Sequence, residues 1–301
     1  PEVAAAVEMF RDAAEAAKRL ETSVIPSSDR QKRVLTLREA RGVYGILTPW
    51  NFPATIPSEY LSAGLATGNG MVWKPSELTP MTAAHIANCF VDAGVPNGAL
   101  NLLHGDPSGI GGGIASHTGV TAVGLTGSSR TGQIVAELAA GKPLLLELGG
   151  NCPVVVFDDV DVEAVAEKLA FGCFANAGQI CDSVERILCH GAVYEDLIEA
   201  VTAAAGKVEL GDPFQRATTM GPLISEPGAA RVDDHLEDAV SLGAEVVTGG
   251  RRGTDHPTDL YYEPTVLKGL ASGMRMEREE TVGPVTAFGV RLHDCVTLNR
   301  V

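Results

Sequence analysis

The 301-residue sequence has no C-x-x-C pair among Cys89, Cys152, Cys173, Cys181, Cys189 and Cys295, and no zinc-ligand spacing. Cysteines scattered through apolar runs argue for reduced thiols rather than a disulfide frame. The seven histidines are equally scattered, so no metal site is expected. No N-terminal stretch has the basic, apolar, small-residue order of a signal peptide, and no apolar run approaches a membrane span. The expectation is a cytoplasmic protein with no membrane partner. Positive charge is short: 23 Lys and Arg stand against 38 Asp and Glu, a net charge of -15, which works against gripping phosphate backbones and excludes nucleic acid as a natural partner. Lysine is scarce relative to arginine and the acids, which fits either a salt-adapted source or an acidic surface kept for solubility. A Walker loop is excluded because Gln133 follows Gly132 where lysine is required. A G-x-G-x-x-G fingerprint is also missing, even from the glycine cluster at 109–113.

What is present is a globular composition, 45% hydrophobic and 20% charged, long enough for two domains. Residues 3–21 carry apolar side chains at three- and four-residue steps and predict an amphipathic helix. Residues 22–41 break that pattern at Pro26 and read as an arm. From Val43 onward the runs "VYGILT", "MVWK", "ALNLLH", "VTAVGLT" and "LLLELGG" alternate with helical stretches near 56–67, 79–93, 107–116 and 130–140. Such alternation predicts a Rossmann-like, doubly wound parallel sheet with ligands at the strand C-terminal ends. After Gly149-Gly150 a second α/β set follows. It comprises "PVVVF", a helix over 161–173, a cysteine loop, "VERILCH", helices near 193–205 and 228–242, and strands "EVV", "YYEPTVL" and "PVTAFGV". The expected division is 1–149 and 150–301, with the turn at Glu147 to Gly150 as hinge.

Polar residues gather at the predicted strand ends. In "PWNFP", Pro49 and Pro53 stiffen the loop that presents Asn51, whose amide suits an oxyanion donor and equally a turn residue bonding its own backbone. "MVWK" ends at Lys74, with Glu77 three residues on, where a nucleotide-binding sheet meets an adenine ribose; Ser76 and Glu77 also read as ordinary helix-start residues. Gly127 and Ser128 open a helix whose free N–H groups could receive a phosphate. Glu147 closes "LLLE", and apolar neighbours there are expected to raise its pKa toward that of a general base. Cys181, in "NAGQICDSVERI", is either a nucleophile or one more core cysteine.

Taken together and in order, Asn51 in "PWNFP", Lys74 and Glu77 in "KPSE", Gly127-Ser128 in "LTGS", Glu147 in "LELGG", Cys181 in "GQIC" and Glu280 in "EETVGP" resemble the aldehyde dehydrogenase superfamily. The resemblance runs from about Thr22 to the end. It implies NAD(P)-dependent oxidation of an aldehyde to a carboxylic acid. Cys181 would be the nucleophile, Asn51 an oxyanion donor and Glu147 the base for thioester hydrolysis. Trp50, Lys74, Glu77, Gly127, Ser128 and Glu280 would contact the cofactor, NAD by the Glu77 argument, with NADP possible. It makes 1–149 the NAD(P)-binding domain, 22–41 part of an oligomerisation arm and 150–301 the catalytic domain. A homo-oligomer, dimer or tetramer, is expected of the full-length protein.

Val282 stands where the family usually has phenylalanine, and Asp182 follows the nucleophile, where a carboxylate would raise the thiol pKa. Full-length members carry further sequence at both ends, so the resemblance implies an incomplete fold, truncated at the C-terminal end of the catalytic domain. "GQICDSVERI" is similar to the semialdehyde, lactaldehyde and non-phosphorylating glyceraldehyde-3-phosphate branches, which favours a small polar aldehyde. Two alternatives stand beside this: a catalytically incomplete nucleotide-binding fragment, and a CoA-acylating dehydrogenase, against which Glu147 argues. A cysteine hydrolase would need a histidine placed with Cys181, and the sequence offers none in a recognisable pattern.

Overall fold

Helix α1 (Glu2–Ala17) opens the computed structural model, which describes residues 2–292. Its first residue is put to use elsewhere: Glu2 Oε1 accepts from the N–H groups of Ala54 and Thr55 at 2.7 and 3.1 Å, supplying the carboxylate that the start of the next helix lacks. Phe10 meets Phe90 edge to face at 5.4 Å. A two-stranded antiparallel hairpin follows, β1 (Val24–Ile25) with β2 (Val34–Leu35), all four residues exposed.

Strands and helices then alternate as the sequence pattern predicts: β3 (Val43–Leu47), α2 (Thr55–Ala66), β4 (Gly70–Lys74), α3 (Pro80–Asp92), β5 (Leu100–Leu102), α4 (Pro107–Ser116), β6 (Ala122–Thr126), α5 (Ser129–Leu138) and β7 (Leu144–Glu147). The sheet order is β5-β4-β3-β6-β7, parallel throughout. Period-two alternation sends neighbours to opposite faces. Ile46, Met71 and Trp73 pack with Tyr60 and Leu61 on one side, while Leu47, Val123 and Leu125 pack with Ile114 and Val135 on the other. Both faces are covered, as a parallel sheet requires. The chain leaves β3 for β4 and β5 in one direction and returns for β6 and β7 in the other, so the order reverses beside β3.

A second compact unit begins at Gly149, the first spanning Pro1–Leu148. It contains β8 (Pro153–Val156), α6 (Val162–Phe174), β9 (Arg186–His190), α7 (Tyr194–Ala205), α8 (Glu226–Ser241), β10 (Glu245–Thr248), β11 (Thr265–Lys268), α9 (Arg275–Arg278) and β12 (Val285–Leu292). Its sheet order is β10-β11-β12-β9-β8, with β10 antiparallel to β11 and the other pairs parallel. Phe288, Ile187, Leu267, Leu197 and Val201 form its centre, and Tyr194 meets Phe288 edge to face. The strand expected over "YYEPTVL" is shorter than its apolar run. Pro264 has no N–H to give a ladder, and Tyr262 instead pairs with Arg252 in a single bridge and donates its hydroxyl to Asp233 at 2.9 Å. Among the described residues no helix is long and apolar enough to cross a membrane.

Candidate functional site

In the first unit the parallel register brings the predicted residues to one edge of the sheet. Leu47 pairs with Lys74, and Thr126 with Glu147, so the segments at 48–51, 74–77, 126–128 and Glu147 all issue from strand C-termini. Trp50 and Asn51 are half-buried in the loop between β3 and α2. Trp73 Nε1 donates to Thr48 Oγ1 at 2.9 Å, tying the start of that loop to β4. Lys74 is buried, and its Nζ meets Glu77 Oε2 at 3.1 Å, Glu77 itself being half in solvent. Asp106, which caps α4, lies below the usual carboxylate range, chiefly through the Ser108 hydroxyl and the Gly109 N–H; the Lys74 charge adds a smaller pull. Ser128 caps α5, its hydroxyl accepting from Thr131 N–H at 3.2 Å, and Gly127 N–H donates to the Glu147 carbonyl at 3.0 Å.

Glu147 departs from expectation. It is exposed, not seated among apolar neighbours, because its strand is the last of the sheet. Burial acts instead on two groups that sense its charge. Glu59 is raised first by burial and then by Glu147. Tyr60 is raised first by burial, with Glu147 and Glu59 adding to the rise, while its hydrogen bond to Thr126 Oγ1 at 2.8 Å opposes it. The Tyr60 ring occupies the space a side chain at Gly124 would fill, so a glycine in β6 makes room for this cluster.

In the second unit α6 ends in a tight turn, Ala175–Gly178, where Asn176, Ala177 and Gly178 all have positive φ, 51°, 55° and 68°. Left-handed backbone is unfavourable for Ala177, and this turn delivers the chain to Cys181. A Cβ on Gly178 would run into the Gly283 carbonyl. Gly178→Ala is therefore expected to destabilise the unit by about 2 kcal/mol or more, measured by urea unfolding. An unchanged midpoint would mean that the two loops can separate freely.

Cys181 is exposed. Partial burial of its thiol, then the charge of Asp182, and more weakly that of Glu280, hold it above its ordinary pKa, against the pull of the Cys181 and Asp182 N–H groups. Glu280 is raised by burial and lowered by the Gly150 N–H and by Arg231. Its carboxylate fills the space beside Gly149 where a side chain would stand. Gly149-Gly150, the cysteine loop and the Glu280 loop are thus brought together.

Three neighbours escape a reading of the sequence. Asn151 Nδ2 donates to the carbonyls of Met276 (2.8 Å) and Glu279 (3.2 Å). Cys152 Sγ lies 3.3 Å from the Cys181 carbonyl. Glu185 is buried and bonds the backbone of Thr281 and Val282. Only Glu185 left a trace, as a carboxylate beside Arg186 at the start of an apolar run. The core reading of the other cysteines holds for Cys173 and Cys189 but not for exposed Cys89 or half-buried Cys152; Cys295 lies outside the described residues. The reason is position: Cys152 sits in the loop between β7 and β8, against the Cys181 carbonyl, not on a helix or strand face.

Comparison with known proteins agrees with the motif order. Residues 1–290 match the model of the aldehyde dehydrogenase family. The mitochondrial succinate-semialdehyde dehydrogenase of Arabidopsis thaliana is 39% identical over 286 residues, covering 94% of this chain and 54% of that protein. A succinate-semialdehyde dehydrogenase [NADP(+)] of Schizosaccharomyces pombe is 40% identical over 265 residues, covering 87% and 53%. The crystal structure of an NAD-dependent aldehyde dehydrogenase from Sinorhizobium meliloti superposes with a TM-score of 0.93 at 36% identity, covering 97% of this chain and 58% of that one. The chain spans about half the length of the curated relatives it matches. With a family model matched along almost its full length and relatives near 40% identity, the chain belongs to the aldehyde dehydrogenase family.

Proposed function

We propose that this chain takes part in the NAD(P)-dependent oxidation of an aldehyde to a carboxylic acid, with residues 1–149 binding the cofactor and residues 150–301 carrying the nucleophile. The observation that carries the proposal is Cys181, set behind a left-handed turn, its thiol touched by backbone N–H groups and within reach of the Glu280 charge. Cys181 as thiolate attacks the carbonyl carbon; a C–S bond forms and the oxygen becomes an oxyanion. The Cys181 N–H and the Asn51 amide supply donors to that oxygen, a single donor of this kind contributing about 3–4 kcal/mol. The cofactor held at the sheet edge would supply the acceptor for the hydride that leaves this carbon as the oxyanion re-forms its C=O bond. The resulting thioester is hydrolysed by water that gives its proton to Glu147, with the C–S bond breaking to return the thiolate.

The cofactor fits the donor set at the sheet edge. The α5 N-terminus after Gly127 and Ser128 suits a pyrophosphate, and buried Lys74 with Glu77 suits ribose hydroxyls. Glu280, bonded by Gly150 N–H, would hold the nicotinamide ribose, and Trp50 would line the cofactor side of its loop. A carboxylate at Glu77 disfavours a 2'-phosphate, so NAD is preferred. The comparison proteins carry both names, one NAD-dependent and one NADP(+). Succinate-semialdehyde dehydrogenases among the relatives support a small polar aldehyde as substrate. The exposed hairpin β1-β2 supports assembly with further copies through 22–41.

The test is formation of reduced nicotinamide, followed by absorbance, from a panel of short aldehydes with NAD and with NADP. Cys181-dependent turnover with NAD ahead of NADP is the expected result. Tight NAD binding without turnover on any aldehyde would replace the proposal with a non-catalytic nucleotide-binding role for these residues.

A further inference from the structure

Glu185 lies four positions after Cys181, immediately before β9, and its side chain has been taken almost wholly out of water, at 2% exposure. A buried carboxylate is costly unless it is well bonded. Its partners are backbone amides 96 and 97 residues away: Thr281 N–H, at 3.0 Å from Oε1 and 2.8 Å from Oε2, and Val282 N–H, at 3.0 Å from Oε1.

The same short segment is gripped from its other sides through other groups. His235 Nδ1 lies 3.2 Å from Thr281 Oγ1 and its Nε2 lies 3.5 Å from Glu279 Oε2. Arg275 pairs with Glu279 at 3.0 Å. Asn151 takes the Glu279 carbonyl. Those contacts fix side chains and one carbonyl, while the two N–H groups fall to Glu185. Val282, moreover, has φ of 55°, a left-handed conformation unfavourable for a β-branched residue, which persists only when its surroundings hold it. Between Glu279 and this turn sits Glu280, whose side chain meets the Gly150 N–H.

We infer that Glu185 is a positioning residue: by accepting from Thr281 and Val282 it sets the left-handed turn and thereby aims Glu280 at Gly150 and the cysteine loop. The consequence for cofactor affinity rests on the proposed role of Glu280; the hold on the turn does not. Burial lifts Glu185 to about 7, opposed by the Thr281 and Val282 N–H groups and augmented by the Glu280 charge. Among the described residues the thiols of Cys152 and Cys173 also sense it. Since the folded value lies above the ordinary one of 4.5, the ionised form costs stability, which falls as pH rises from about 4.5 to about 7. As pH passes through about 7 the carboxyl ionises in the folded chain and its second oxygen becomes a full acceptor for Thr281, so the local hold on the turn tightens although the buried charge costs global stability.

The experiment is amide hydrogen exchange on the whole chain, for wild type, Glu185→Gln and Glu185→Ala, with NAD affinity measured calorimetrically on these, on Glu280→Gln and on the double variant Glu185→Gln/Glu280→Gln. Gln keeps one acceptor oxygen and Ala keeps none. Exchange at Thr281 and Val282 is expected to rise about tenfold in Glu185→Gln and further in Glu185→Ala, with amides in the centres of β9 and β12 unchanged. In wild type alone, protection at Thr281, corrected for intrinsic rates, should increase as pH rises through about 7. NAD affinity should fall in Glu185→Gln, and the double variant should lose no more than Glu280→Gln alone. Unchanged exchange at both amides in both variants, or fully additive losses in the double variant, would overturn the inference. Faster exchange in Glu185→Gln beside an ineffective Glu280→Gln would support the hold and remove the cofactor role from Glu280 instead.

Discussion

Cys181→Ala is expected to lower aldehyde oxidation by about 10⁴-fold or more while leaving NAD binding unchanged. The size follows from covalent catalysis: without the sulfur there is no carbon-centred adduct from which hydride can leave, and what remains is only the contribution of binding and the oxyanion donors. Cofactor affinity is spared because the residues proposed for it stand at the sheet edge of the first unit and at Glu280. The surroundings of the thiol also give the wild-type rate a direction with pH. Burial and the Asp182 charge hold the thiol above its ordinary value, so the reactive thiolate grows as pH rises, and so should the pre-steady-state burst. Asp182→Asn removes one of those causes and should shift the rise to lower pH. Rapid-mixing absorbance and calorimetry check all three statements. Full turnover in Cys181→Ala would end the assignment.

Glu147→Gln is expected to slow the steady state by roughly 10²–10⁴-fold, the usual contribution of a positioned general base, while the first burst of reduced nicotinamide survives. The distinction lies in which step needs a proton acceptor: hydride departure does not, and hydrolysis of the thioester does. The acylated chain should therefore accumulate, visible as an added acyl mass on Cys181 in the intact protein. Glu147 is suited to this by access to water at the end of the last strand of its sheet, not by the apolar pocket its sequence suggests. Its charge is sensed by Glu59 and Tyr60. A variant with unchanged burst and unchanged steady state would assign the water-activating role elsewhere.

Much of the first unit is legible in the sequence because its strands are short apolar runs bounded by turns, and its helices fill the spaces between them. The alternation of Ile46 and Leu47 toward opposite faces is already a period-two statement. Of the candidate site, what is legible is placement: Lys74 ends β4 and Gly127-Ser128 follow β6, as their runs predict. What escapes is whatever depends on distant segments. Ala177 and Val282 adopt left-handed backbone without being glycine, and no local propensity announces that. Glu185 reads as one of two adjacent charges, with Arg186, in a strand-like run, since the amides that bond it are almost a hundred residues later. Glu147 is misjudged for the converse reason: "LLLE" is apolar, yet β7 lies at a sheet edge where Leu144 and Leu145 are themselves exposed.

The strand order of the second unit has a bearing on how the chain comes to be folded. Among the described residues strand β12 follows the other strands of its sheet, yet it lies between β11 and β9. Until it is synthesised and inserted, β9 and β11 have no neighbour on their facing edges, and non-local parallel pairing of this kind forms slowly. Unpaired edges in such an intermediate invite association with other chains. The Thr281 and Val282 amides lie just ahead of β12, so Glu185 too must wait for that insertion. A nascent chain would then display its cysteine loop before the segment bearing Glu280 arrives, so the insertion of β12 and the meeting of Glu280 with Gly150 become one event.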